Sequence, residues 1–406
     1  VALQHAFQCI ETANQDTLYS IFGDAQWSNK DRLSDALLIE LIEHFSALPM
    51  SNEAVEPDIL GQAYEYLIKK FADATNKKAG EFYTPRSVVA LMMEILDPQP
   101  GETIYDPACG TGGMLLAAVN RLRETGGRTE TLLGNLYGQE KNLTTSSIAR
   151  INLFVHGLED FQIVRADTLR QPAFHAGDQL QHFDIVIANP PFSLEQWGLE
   201  VWETDPYRRN FAGLPSNKNG DFAWVQHMIS SMKPDTGRMA VVLPHGVLFR
   251  MGAEGKIRRK IIEMDILEAV IGLGPNLFYG TGLAASILIF RQQKPPERQK
   301  RVLMIDASEL YRRGRNQNTL EPEHAENILA WYRAFEDVEG HAAVVTLEAI
   351  AENDWNLNIP RYVEPIIEEE TITVEEALDN LGQSLKAAYA AEDKLSRLLR
   401  DAGLME

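Results

Sequence analysis

Three acids at the ends of short apolar runs, one glycine-rich turn and one Asn-Pro-Pro-Phe stretch are the residues of this chain best suited to chemistry. The run TIYD (103–106) leads into Asp106-Pro107-Ala108-Cys109-Gly110-Thr111-Gly112-Gly113. Three glycines within four positions let the backbone turn tightly and approach a ligand closely. A helix after the turn would aim its first amide groups at that ligand. No GxxxxGK followed by Ser or Thr occurs in the chain, so this is not an ATP-type phosphate loop, and it is not a clean GxGxxG. Asp106 can hold an amino group. NLYGQE (135–140) ends on Glu140, placed to accept from ribose hydroxyls, and FQIVRAD (161–167) ends on Asp167, which could bond an adenine amine. Each acid alone is more often a strand-end cap or a solvated charge than a ligand-binding group. Together, beside a glycine turn, they imply an adenosine-type cofactor that bears an amino acid.

The run FDIVIAN (183–189) ends in Asn189-Pro190-Pro191-Phe192. Two prolines abolish two backbone donors and cannot lie inside a strand ladder. The Asn189 amide oxygen and the Pro190 carbonyl can both accept hydrogens from one planar NH2 group, and the Pro-Pro pair holds those acceptors still. Electron density drawn onto a weakly nucleophilic amine permits attack on a sulfonium methyl without a strong base. Phe192 offers a flat surface for a stacked base. The plainer alternative is a proline-rich strand exit with a buried asparagine cap.

Open α/β sheets bind ligands at the carboxyl ends of their strands, so these stretches need such a sheet. The runs 103–106, 135–140, 161–167, 183–189, 238–244, 267–273 and 284–291 alternate with helical stretches, and most are nearly continuous in apolar residues. That is the pattern of strands covered by helices on both faces. The last two runs leave no room for a crossover helix and should pair antiparallel. The expectation is an α/β protein with a seven-strand Rossmann-like sheet in residues 79–320. Residues 1–78 read as helices, notably Leu33 to Leu48 and Asp58 to Thr75, and 321–406 return to helix. Leu378, Leu381, Leu385, Ala388, Leu395 and Leu399 form a near-heptad stripe there, suited to packing within the chain or to a coiled coil with another.

The 406 residues suggest two or three domains, and the 45% apolar content supplies an ordinary globular core. No apolar run reaches membrane-span length. Cys9 and Cys109 alone make a disulfide framework improbable, no signal peptide is visible and no metal site is expected, so a cytoplasmic location is the simplest. Val1, not methionine, opens the chain, which suits a fragment or a processed product. The net charge is −20, with about 20 acidic and 6 basic residues after Leu320. Basic clusters at Arg250–Lys260, Arg291–Arg301 and Arg312–Arg315 read as solvated charge or as a phosphate-contacting face.

With these residues in view the chain resembles the modification (methyltransferase) subunits of type I restriction–modification systems. The motifs GEFYTP (80–85), DPACGTGGML (106–115) and NPPF (189–192) occur in that family's order, and LPHGVLFR (243–250), LFYGTG (277–282) and NLNIPRYV (356–363) are similar to it as well. The resemblance covers residue 55 onward. It implies an S-adenosyl-L-methionine-dependent methyltransferase acting on adenine N6 in double-stranded DNA. It assigns Phe82, Tyr83 and Thr84, with Asp106, Pro107, Gly110, Thr111, Gly112 and Gly113, to the cofactor, Glu140 to its ribose and Asp167 to its adenine. In the catalytic stretch Asn189-Pro190-Pro191-Phe192, Asn189 and Pro190 would grip the target amine and Phe192 would stack on the flipped base.

A complete adenine methyltransferase also needs a part that reads the target. The insert Ser193 to Gly220 is too short for a domain, although Trp197, Trp202, Tyr207, Arg208 and Arg209 are candidates to touch DNA, and the tail is too acidic to lie on phosphates. Target reading therefore falls to a DNA-specificity subunit. The resemblance implies the same, adding a second copy of the modification subunit and an ATP-dependent restriction subunit in the full complex. RNA or protein methylation, N4-cytosine methylation and a silent assembly scaffold remain rival readings.

Overall fold

A computed structural model of the chain describes residues 2–22, 29–31, 33–49, 59, 63–64, 66–67, 70, 84–278, 281–315, 317–364 and 374–402. Phe82, Tyr83 and part of LFYGTG lie outside them. The chain divides into two compact units, Val1–Glu364 and Pro365–Glu406.

All seven runs expected to be strands form them in the first unit. They are β1 (Ile104–Asp106), β2 (Leu136–Glu140), β3 (Gln162–Arg165), β6 (Ile185–Ala188), β7 (Arg238–Pro244), β8 (Leu267–Leu273) and β9 (Ala285–Arg291). A small separate hairpin, β4 (His175–Ala176) with β5 (Gln179–Leu180), falls between β3 and β6. Among the described residues the sheet has nine strands, not seven. Two further strands, β10 (Arg301–Ala307) and β11 (Ala342–Thr346), give the order β11-β10-β8-β9-β7-β6-β1-β2-β3. β10 runs parallel to β8 and covers its edge with the fully buried Leu303, Met304 and Ile305, and β11 adds antiparallel to β10. The sheet therefore takes in residues beyond 320. β9 lies antiparallel between β7 and β8, as expected for the last two runs.

Alternation along a strand sends neighbours to opposite faces, and two apolar layers result. Ile287 and Ile289 join one layer, and Leu288 and Phe290 join the other. β1 pairs in parallel with both β2 and β6. The chain builds outward to one side of β1 and then returns to the other, which opens the crevice where such sheets take ligands.

Leu33–Leu48 contains the helix Asp35–Ser46, capped by the Ser34 side chain accepting from Leu37 N. In the second unit Val374–Asp401 is a single helix on which Leu378, Leu381, Leu385 and Leu395 are exposed. Among the described residues no helix is long and apolar enough to cross a membrane.

Candidate active site

The glycine turn is held by the two strand ends beside it. Gly110 N donates to Glu140 Oε2 at 3.1 Å, and Asn142 N donates to Glu140 Oε1 at 2.7 Å. Cys109 N donates to the Gln139 carbonyl at 3.0 Å, and Thr168 Oγ1 to the Pro107 carbonyl at 2.6 Å. From the helix Leu143–Val155, Asn152 Nδ2 donates to the Thr111 carbonyl at 3.0 Å. The turn needs glycine at Gly110 (φ +53°) and Gly112 (φ +79°), where other residues are strained.

Asp106 is buried and accepts from Ala108 N at 3.0 Å. Burial pushes its carboxyl up to about 8; the Ala108 bond opposes the rise and the Glu140 charge adds to it. Burial also raises Glu140, against the pull of the amides of Asn142, Gly110 and Lys141. Two carboxylates in one low-dielectric pocket favour a cationic ligand, which would relieve both. Asp167 pairs with the exposed Lys141 at 2.9 Å and more distantly with Arg170, at 3.7 Å.

One cavity of about 810 Å³ gathers most of the expected residues: Thr84, Asp106, Pro107, Gly110, Thr111, Gly113, Glu140, Asp167, Asn189 and Pro191. Gly112 shapes the turn behind it. Pro190 is buried, and Phe192 is half-buried, its ring 6.1 Å from that of Phe278. Asn189 Nδ2 donates to Thr84 Oγ1 at 2.9 Å, while Asn189 Oδ1 is buried with no hydrogen-bond partner. The exit after Phe192 is set by Ser193 (φ +50°), whose N–H donates to Asp221 Oδ1 at 2.7 Å; Arg250 pairs with the other oxygen of that carboxylate.

The insert corrects an expectation. Trp197, Trp202 and Arg209 are interior, not available to DNA. Arg209 pairs with the buried Asp205 at 2.8 Å, lies 4.6 Å from the Trp202 ring centre and donates to the carbonyls of Thr168 and Leu169 at 3.0 Å each. The basic clusters are likewise largely spent inside the chain. Arg258 is buried on the carbonyls of Trp355, Val247 and Arg250, and Arg291 and Arg298 share the buried Glu268. Lys256, Lys260, Arg313 and Arg315 stay exposed. Sequence reasoning missed Asn152, the Thr84–Asn189 bond and Trp224, which also lines the cavity; only their long-range contacts reveal them.

A sheet of this order, with a glycine turn after β1 and acids ending β1 and β2 and following β3, has the fold of S-adenosylmethionine-dependent methyltransferases. Residues 55–371 match the family model described as N-6 DNA Methylase. The chain is 34% identical over 390 residues to the methylase subunit of the type I restriction enzyme MjaVII of Methanocaldococcus jannaschii, spanning 93% of this chain and 65% of that protein. It is 32% identical over 409 residues to the HindI methylase subunit of Haemophilus influenzae, spanning 97% and 89%. The crystal structure of the type I restriction-modification methyltransferase subunit from Streptococcus thermophilus superposes with a TM-score of 0.80 at 36% identity, over 90% of this chain and 76% of that one. The chain belongs to the N-6 DNA methylase family, among the methylase subunits of type I restriction enzymes, as its motifs led one to expect.

Proposed function

We propose that this chain is the modification subunit of a type I restriction–modification complex and transfers a methyl group from S-adenosyl-L-methionine to N6 of an adenine turned out of double-stranded DNA. The observation that carries the reading is Asn189. Its NH2 is taken by Thr84, and its carbonyl oxygen is buried and unpartnered. A buried acceptor left open costs about 1–3 kcal/mol, and an incoming amine repays it.

The cavity residues fit the cofactor. Two raised carboxylates suit a ligand with an ammonium group, and the positive-φ glycines let it approach the backbone. When bound, S-adenosylmethionine supplies an electrophilic methyl on a sulfonium. Asp106 would hold the amino-acid end, Glu140 the ribose and Asp167 the adenine amine. Asn189 Oδ1 and the Pro190 carbonyl would accept the two hydrogens of the target amine and leave its lone pair directed at the methyl. Preorganised acceptors act here without a strong base. Phe192 would stack on the base.

Double-stranded DNA, a DNA-specificity subunit, a second modification subunit and an ATP-dependent restriction subunit are the partners this reading calls for, in the cytoplasm. The acidic composition and the internal pairing of most clustered arginines support delegating the grip on DNA to a partner.

The test is Asn189→Ala in the assembled complex. Methyl transfer should fall by about two or more orders of magnitude, as for loss of one oriented transition-state contact, while cofactor affinity by calorimetry stays within about twofold. Equal loss of both would overturn the assignment.

A further inference from the structure

Trp224 stands in the first turn of the helix Asp221–Ser230 and is 6% exposed. Its ring packs with Leu169, Trp197, Trp202 and Ala223 against Ala108 and Leu194. The two neighbouring indoles are satisfied: Trp197 Nε1 donates to the Ser216 carbonyl at 2.9 Å and Trp202 Nε1 to the Leu169 carbonyl at 2.7 Å. Trp224 Nε1 is buried with no partner. An indole N–H can only donate, and buried donors in folded proteins are paired almost without exception. Trp224 borders the cavity together with Asp167, Pro191 and Leu194, so the missing acceptor is a group that the cavity admits.

Its position says which part of the ligand that is. Arg209 donates to the carbonyls of Thr168 and Leu169, directly after Asp167, and rests against Trp202. The Trp224 cluster and the Asp167 strand end are thus packed together. We propose that Trp224 is a cofactor-binding residue whose N–H donates to a ring nitrogen of the adenosyl purine, while Asp167 accepts from the exocyclic amine. The pair reads a donor and an acceptor on one base, so a 6-oxo purine, which offers an acceptor where the amine was, is disfavoured. The proposal rests on the reading that this cavity holds S-adenosylmethionine.

The experiment is calorimetry of S-adenosylhomocysteine and its 1-, 3- and 7-deaza analogues on the full chain and on Trp224→Phe, which keeps a smaller aromatic ring and deletes the donor. On the unaltered chain one analogue should bind about three- to tenfold weaker than the parent, the range expected for one net hydrogen bond. In Trp224→Phe the parent should weaken by the same factor, and that analogue should lose no more. Full affinity in Trp224→Phe, or no penalty from any deaza analogue on the unaltered chain, overturns the proposal and leaves the cofactor reading intact. Failure of the unaltered chain to bind S-adenosylhomocysteine overturns both.

Discussion

Asn189 Nδ2 lies 2.9 Å from Thr84 Oγ1, a bond across 105 residues that leaves the amide oxygen for the open site. An amide is nearly symmetric in shape, and only its partners decide where the oxygen points. Thr84 precedes Pro85, the N-cap of the helix Arg86–Leu96, so the orientation is inherited from the start of a well-buried helix. The GEFYTP and NPPF motifs meet at this bond.

Thr84→Val removes the hydroxyl and keeps the shape, leaving the amide free to turn its NH2 toward the target. The single-turnover methylation rate should fall about tenfold, the equivalent of roughly 1.4 kcal/mol of orientation. S-adenosylhomocysteine affinity should change less than the rate. An unchanged rate would mean that Pro-Pro rigidity alone fixes Asn189.

Asp106 gives the site a pH dependence with a definite sign. Folded, it keeps its proton to about 8, whereas an unperturbed Asp loses it near 3.8. Between those values the folded chain binds more protons than the unfolded one, so stability falls as pH rises through the window and levels off above about 8. Glu140 is raised too and contributes with the same sign. Asp106→Asn should flatten the decline in melting temperature between pH 5 and 9. An ammonium ligand needs the ionised carboxylate, so cofactor binding at pH 7 should release a proton. Calorimetry in buffers of different ionisation enthalpy reads that release directly, and the variant should lose it with about ten- to a hundredfold of affinity, as for a hydrogen bond to a charged group.

Much of this was legible from runs and turns. The seven strands could be read because most of their runs are nearly continuous in apolar residues, and the three acids could be placed because each ends one of those runs. β10 has a weak local signal: RVLMIDA begins where the basic stretch Arg291–Arg301 ends, and only four consecutive apolar residues mark it as a strand. β11 is only five residues long and partly exposed. Trp197, Trp202 and Arg209 read as a surface patch because a sequence shows residue types, not their partners. Asp205 and Arg209 stand at i, i+4, but that spacing is as common on solvated helix faces as in a core. The Thr84–Asn189 bond and the Trp224 cluster are long-range, and no local pattern encodes them.

The buried Arg209 makes its own prediction. Removing one partner of a buried, hydrogen-bonded ion pair strands the other and costs about 3–5 kcal/mol. Arg209→Ala should therefore lower stability strongly and also weaken cofactor binding, since the carbonyls of Thr168 and Leu169 lose their donor beside Asp167. Asp205→Leu combined with Arg209→Met should recover part of the loss. Chemical denaturation of the three chains measures it. If Arg209→Ala is stable and loses only DNA affinity, the surface reading of the insert returns.

The helix Val374–Asp401 leaves Leu378, Leu381, Leu385 and Leu395 exposed at near-heptad spacing. Covering such a stripe with a second helix is worth roughly 1.5–3 kcal/mol per leucine. Leu381→Ser with Leu385→Ser should weaken assembly with a specificity subunit by about a hundredfold or more, because both changes fall on the same seam. Cofactor affinity of the isolated chain should not move, since the cavity residues assigned to the cofactor belong to the first unit. Sedimentation with a specificity subunit, read beside cofactor calorimetry, separates the two effects. Unaltered assembly in the double variant would place the subunit contact elsewhere on the chain.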